Sequence, residues 1–273
     1  MREFEGRTAF VTGGASGIGL ALARACAAAG MKLAIADVEA PALAAAVEEL
    51  RGANAAVLGI ELDVRDRTAM ADAARQVEER FGPVHLLCNN AGVGAGGPLQ
   101  EASWADWDWT LGVNLEGVVN GLQAFLPGMV AHGQGGHVVN TASMAGIVGV
   151  AGMGIYNASK FAVVGLSEAL LQDLAATGIG VSVLCPGFVR TRIFDSERNR
   201  PDEYARPPRT RTEEDETRLA QILDQALAPV QVAELVLDAV REERFWIFTH
   251  PEFEDVIRAK CELMTAAFRP AGA

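Results

Sequence analysis

The chain has 273 residues, 50% of them hydrophobic, with 29 glycines and a formal net charge of −12. That length buries ample core, as one large α/β domain or two small ones. The acidic balance argues against nucleic-acid and anionic-membrane surfaces, which need a basic patch, but leaves room for a small anion held by backbone dipoles.

Arg7–Thr12 is a short apolar run ending at glycines and predicts a first strand. Thr12-Gly13-Gly14-Ala15-Ser16-Gly17-Ile18-Gly19 joins it to an Ala/Leu-rich helix, Ile18–Ala29, closed by Gly30. Glycines let the backbone turn tightly and approach a pyrophosphate, and the helix N-terminus offers free N–H groups. Gly13, Ser16, Gly17, Ile18 and Gly19 are therefore candidate cofactor contacts. The next strand, Lys32–Ala36, ends at Asp37. A carboxylate there accepts hydrogen bonds from an adenosine ribose and repels a 2′-phosphate. The turn carries Ala15, and Val38 follows Asp37, so no cation is placed for that phosphate; the cofactor expected is NAD rather than NADP.

Pro41–Arg51 predicts a helix with proline in its first turn. Ala55–Leu62 is a strand ending at Asp63-Val64, where Asp63 can reach an adenine amino group. A helix over Thr68–Phe81 stops at Gly82-Pro83. The strand Val84–Cys88 runs into Asn89-Asn90-Ala91-Gly92, a turn able to pass beside the adenosine ribose. Trp104, Trp107 and Trp109 share one helix, suited to core or subunit packing. Asn114 stands in the otherwise apolar Leu111–Leu115. It is either a satisfied core amide or a residue that breaks the helix and holds a water leading to Lys160. Strands follow at His137–Thr141 and Gly180–Leu184, and a short one at Phe245–Thr249.

Strands alternating with helices predict βαβ units, and continuous apolar strands fit burial on both faces. The fold class is α/β: one Rossmann-type domain over 1–273, a doubly wound parallel sheet of about seven strands with helices on both faces. One segment departs from the pattern. Residues 194–225 are polar, with Arg198, Arg200, Arg206, Arg209 and Arg211, then Glu213-Glu214-Asp215-Glu216. They form either a solvated excursion or a substrate lid spanning 190–228.

Cys26, Cys88, Cys185 and Cys261 form no C-x-x-C pair and are expected as reduced thiols. His85, His132, His137 and His250 lack metal-ligand spacing, so no metal is expected. His85 and His137 start strands and suit structural roles, while His250 can approach the lid. No signal peptide follows Met1–Gly6 and no apolar run approaches the ~18 residues of a membrane span, so a cytoplasmic protein is expected.

Tyr156 and Lys160 are four apart in an Ala/Leu-rich stretch, a spacing that stacks them on one helix face. A free tyrosine, with a pKa near ~10, is a poor base at neutral pH, and a neighbouring ammonium favours its phenolate. Tyr156 can then exchange a proton with an alcohol while hydride moves to a cofactor. Ser143 lies just after the fifth strand, where its hydroxyl can hold the substrate oxygen.

Taken together, Thr12-Gly13-(x)3-Gly17-Ile18-Gly19, Asn89-Asn90-Ala91-Gly92, Asn114, Ser143, Tyr156-(x)3-Lys160 and Pro186-Gly187 resemble the short-chain dehydrogenase/reductase family in order and spacing. The resemblance implies a catalytic tetrad of Asn114, Ser143, Tyr156 and Lys160. It implies that Lys160 and Tyr156 also touch the cofactor, with Asp63, Val64, Asn90, Ala91, Gly92, Pro186, Gly187, Val189 and Thr191. It further implies a homotetramer, with candidate interfaces on Val113–Ala131, Tyr156–Ala175 and the strand near Phe245–Phe248. Asp108-Trp109, Gly112–Leu115, the long polar segment and His250-Pro251-Glu252 are similar to bacterial dehydrogenases that oxidise the benzylic alcohol of aryl ethers.

The expected reaction is reversible: a secondary alcohol plus NAD gives a ketone plus NADH. Small and apolar candidate walls, Gly94–Gly97, Met144–Val148, Met153, Phe188, Ile193 and Phe194, favour an apolar or aromatic substrate. Two alternatives remain open at this stage: an NADPH-dependent carbonyl reductase, and a protein that binds NAD without turnover.

Overall fold

The computed structural model describes residues 1–206 and 212–268. Its strands are β1 (Thr8–Thr12), β2 (Lys32–Asp37), β3 (Val57–Glu61), β4 (Val84–Asn89), β5 (Gly136–Thr141), β6 (Ile179–Cys185) and β7 (Trp246–Phe248). They make one sheet in the order β3-β2-β1-β4-β5-β6-β7, every neighbouring pair parallel. β1, β4 and β5 are buried at every residue, which is why they read as unbroken apolar runs rather than alternating ones.

The helices are α1 (Gly17–Ala28), α2 (Ala40–Gly52), α3 (Arg67–Phe81), α4 (Trp104–Leu111), α5 (Gly117–Ala131), α6 (Gly154–Asp173), α7 (Glu213–Gln225), α8 (Pro229–Glu242) and α9 (Glu254–Ala266). Alternate strand residues face opposite layers. Ala9, Val11, Leu33 and Ile35 pack with α1, α2 and α8, whereas Phe10, Ala34, Leu87 and Val183 pack with α3, α5 and α6. The two cores give the doubly wound sheet that the alternation predicted. Neighbouring β1 and β4 mark the reversal of strand order, and the crevice at their carboxyl ends is the ligand-binding position of such sheets.

Four local features have physical causes. β3 begins at Val57, because Asn54 takes a left-handed turn (φ 60°) after α2. The apolar stretch around Asn114 is not one α-helix: α4 and α5 are joined by a π turn, Gly112–Glu116. Of the three tryptophans on α4, Trp109 is buried (1% exposed) while Trp104 is open (83%). The polar segment is not structureless either. Its ends are tied where Leu227 N donates to Phe188 O (3.0 Å) and Arg190 N to Leu227 O (2.9 Å). Between them run 3-10 turns at Arg192–Asn199 and Asp202–Tyr204, followed by α7. Arg209 and Arg211 lie outside the described residues.

At the opposite end of the sheet, His137 is fully buried. Its Nε2 is 2.7 Å from Ser182 Oγ, which itself donates to Arg244 O, so the ring donates there and stays neutral. Burial pushes its pKa down to about 3. His85 bonds Thr8 N and Gln134. Both histidines are structural, as their positions at strand starts suggested.

Candidate active site

The glycine turn sits between β1 and α1. Gly13 (φ 64°) and Gly17 (φ 53°) adopt left-handed backbone that favours glycine. A Cβ on Gly19 would run into Gly13 O, so only glycine lets α1 start this close to the turn. Ser16, the residue before α1, makes no side-chain capping bond, so its hydroxyl and the first α1 N–H groups are available to an anion. One residue the sequence argument undervalued splices the turn to the next strand end. Thr12 Oγ1 accepts from Asn90 N (2.9 Å) and Ala91 N (3.0 Å), and Asn90 Nδ2 donates to Thr12 O (3.0 Å). The same arrangement brings Gly92 beside Asn114 and Lys160. A strand-end threonine carries no signal of this until β1 and β4 are known to be neighbours.

Asp37 ends β2, with Oδ2 accepting from Ala15 N and Oδ1 from Glu39 N, both at 3.0 Å. It therefore stands against the glycine turn, where an adenosine ribose would lie. Asp63 is engaged by Arg65, whose Nε and Nη2 lie 3.0 and 2.7 Å from Oδ2; beside it, Val64 is buried. The expectation that no cation is placed at this corner is corrected: Arg192 and Arg198 arrive from the far polar segment and pair with Glu39.

The chemistry-bearing residues converge at the carboxyl ends of β4, β5 and β6. α6 starts at Gly154, placing Tyr156 in its first turn and Lys160 one turn on. Lys160 Nζ donates to Thr141 O (2.9 Å) and lies 5.7 Å from the Tyr156 ring centroid. Ser143 Oγ accepts from Ala145 N (3.1 Å) and donates to Pro186 O (3.5 Å), with the Tyr156 hydroxyl beside it. Asn114 is fully buried in the π turn: Oδ1 accepts from Val93 N (2.8 Å), while Nδ2 donates to Val93 O (3.0 Å) and Ser159 Oγ (3.1 Å). Of the two readings of Asn114, the satisfied core amide matches these bonds, which tie the β4 loop to α6.

The electrostatics differ from the sequence expectation. Burial pushes the Tyr156 phenol above its ordinary value, and the Ser143 hydrogen bond works against this. In the protein alone, Lys160 does not bring the phenol down as expected. Burial in turn pulls Lys160 down to about 8, with Cys185 nearby opposing it. At neutral pH the pair is thus a phenol beside an ammonium.

Pro186 and Gly187 follow β6, and His250 fixes them in a way the sequence did not foretell. Its Nδ1 lies 3.2 Å from Gly187 N and 2.6 Å from Thr249 Oγ1, with Nε2 3.1 Å from Phe188 O. Val189 is buried, and Thr191 packs against Gly17. The polar segment then crosses the crevice. Gly94 N donates to Ser196 Oγ (2.9 Å), and Arg200 Nη2 pairs with Asp106 Oδ1 (2.9 Å) while the Arg200 Cζ lies 4.2 Å from the Trp109 ring centroid. Ala95, Gly97, Ile155, Asp106, Arg200 and Arg206 line a small hollow. Cys26, Cys88 and Cys185 are buried free thiols and Cys261 is exposed. Among the described residues no group of three His, Cys, Asp or Glu can hold a metal ion.

The short chain dehydrogenase family model matches residues 7–202. A C alpha-dehydrogenase of Sphingobium sp. strain SYK-6 is 40% identical over 256 residues, 93% of this chain and 84% of that protein. A CLA biosynthesis dehydrogenase/reductase of Lactiplantibacillus plantarum is 36% identical over 270 residues, 94% and 92% of the two chains. The crystal structure of a short chain dehydrogenase/reductase from Burkholderia phymatum in complex with NAD superposes with a TM-score of 0.93 at 44% identity, covering 100% of this chain and 99% of that one. With a phosphate-type glycine turn, a Tyr–Lys–Ser cluster on the switch-point crevice and these relatives, the chain belongs to the short-chain dehydrogenase/reductase family of oxidoreductases.

Proposed function

We propose that the protein catalyses the reversible oxidation of a secondary alcohol to a ketone with NAD. The observation that carries the reading is the meeting of Ser143, Tyr156 and Lys160 in the crevice that also holds the glycine turn and Asp37. The donor set fits a dinucleotide. Ser16, Gly17, Ile18 and Gly19 would receive the pyrophosphate, with Gly13 forming the turn beneath it. Asp37 would hold the adenosine ribose, flanked by Asp63, Val64, Asn90, Ala91 and Gly92. Lys160 and Tyr156 would meet the nicotinamide ribose, and Pro186, Gly187, Val189 and Thr191 the nicotinamide side. When bound, the cofactor accepts or returns the hydride.

The chain's own groups supply the proton chemistry. Ser143 Oγ holds the substrate oxygen beside the Tyr156 hydroxyl. In the ketone-reducing direction the protonated phenol donates its proton to that oxygen. In the oxidising direction the phenolate removes the alcohol proton, and the Lys160 ammonium favours that anion. Asn114 holds the Val93 loop and α6 in register around them.

The finer reading is an apolar or aromatic substrate, enclosed by a lid over residues 190–228 within a single domain. The named relatives include a C alpha-dehydrogenase, which supports a carbinol carbon of that kind. A homotetramer covering the exposed Trp246 and Phe248 of β7 belongs to the same reading, as does a cytoplasmic location. Light scattering and cell fractionation check these two.

The first experiment titrates the protein with NADH and NADPH by nicotinamide fluorescence, then assays a panel of secondary alcohols. Tight NADH binding, and loss of turnover in Tyr156→Phe with NADH binding kept, are expected. A Tyr156→Phe variant that turns over normally sinks the mechanism, and a panel in which only polyols react sinks the substrate reading.

A further inference from the structure

Glu39 is the residue before α2, and its backbone N–H donates to Asp37 Oδ1 (3.0 Å). Its backbone is therefore held at the carboxylate assigned to the ribose. Three side chains from the segment crossing the crevice close on it. Arg198 Nε and Nη2 lie 3.0 and 2.6 Å from Oε1, Asn199 Nδ2 2.9 Å from the same oxygen, and Arg192 Nη1 3.4 Å from Oε2. Glu39 and Arg198 side chains are about one-fifth exposed, so the pair is only partly screened by water. Arg192 Nη2 turns to Asp195 (3.1 Å). Two arginines at this corner thus face two carboxylates, Glu39 and Asp195, and no net positive charge is left beside Asp37.

We propose that Glu39 is a second cofactor-specificity residue: by occupying Arg192 and Arg198 it withholds from a 2′-phosphate two guanidiniums that already stand at the adenosine corner. A phosphate there would meet the Asp37 and Glu39 carboxylates, while its natural partners remain paired. Neutralising Glu39 leaves the arginines in place with one fewer carboxylate to satisfy them. Arginine forks bind phosphate and carboxylate by the same bidentate geometry, so the release of one prepares binding of the other. The inference rests on the NAD reading of the crevice.

The test compares dissociation constants for NADH and NADPH, read by nicotinamide fluorescence, in the wild type, E39Q, the double variant R192A/R198A and the triple variant that combines all three. E39Q is expected to move the NADPH-to-NADH affinity ratio toward NADPH by about tenfold, the effect of one charged hydrogen bond. The triple variant should lose that gain. R192A/R198A, which leaves Glu39 unpaired, should move the ratio the opposite way, and this arm stands even where E39Q folds poorly. An unchanged ratio in E39Q, or equal weakening of both cofactors, overturns the inference and leaves Glu39 as a fastening for the segment alone. A wild type that binds neither dinucleotide overturns the NAD reading and this inference with it.

Discussion

Tyr156 shows how far a residue's role depends on its surroundings. The four-residue spacing to Lys160 suggests a lowered phenol, yet burial raises it in the protein alone. The chain has two tyrosines, so Tyr204→Phe leaves Tyr156 as the single reporter. Its phenolate absorbance is expected to appear only above the ordinary tyrosine range near ~10; a midpoint near neutrality would refute the burial argument. The same proton predicts a directional pH profile. Alcohol oxidation needs phenolate and should rise with pH, while ketone reduction needs phenol and should not. Lys160 gives a stability signature. Its pKa is about 8 folded against 10.5 in the unfolded chain, so between those values the unfolded state binds more protons. Wild type should gain stability over Lys160→Met as pH rises through that window, by roughly 3 kcal/mol, and lose it as pH falls toward 8. Parallel urea midpoints for both proteins measure it.

At the scale of elements, two turns carry the site. The glycine turn works because backbone, not side chain, occupies its centre. Gly19→Ala would drive a methyl into Gly13 O and Asn90 Nδ2, so the turn must open. NADH affinity is expected to fall at least about tenfold with little change in circular dichroism. The π turn is the second. Asn114→Leu leaves Val93 N–H and C=O buried without their partner, a loss of about 3 kcal/mol in denaturant unfolding. The sequence pointed to both turns, through glycine spacing in one and a polar residue in an apolar helix in the other. It could not show that Asn114 reaches Val93, because that contact crosses from one element to another.

Over the whole molecule, the crossing segment binds parts of the chain that are far apart in sequence. Asp106 receives Arg200 at 2.9 Å and Arg206 at 3.1 Å, with all three side chains largely buried. It also accepts from Ser103 N at the start of α4. Removing one partner of a buried pair leaves a charge uncompensated, so Asp106→Leu is expected to cost about 3–5 kcal/mol. Limited proteolysis reads the same event locally: trypsin should cut the variant faster after Arg198, whereas Arg200 and Arg206 each precede a proline and resist it. Equal cutting rates would mean that the segment is held mainly by its other contacts.

Local chemistry determined much of this protein before any fold was known. Glycine spacing, continuous apolar strands, helix periodicity and Tyr156-(x)3-Lys160 act over a few residues, and each of them carried into the structure. The parallel direction of the strands and the doubly wound class followed from those local patterns, whereas the strand order that sets β1 beside β4 was fixed by the tertiary structure. What needed the tertiary structure were the encounters between distant segments: Thr12 with Asn90, His250 with Gly187, Arg198 with Glu39 and Arg200 with Asp106. The desolvation that sets the protonation of Tyr156 and Lys160 belongs with them. Hydrogen bonds and ion pairs of this kind depend on position in space rather than on spacing along the chain. Only packing decides which charges meet and which lose their water.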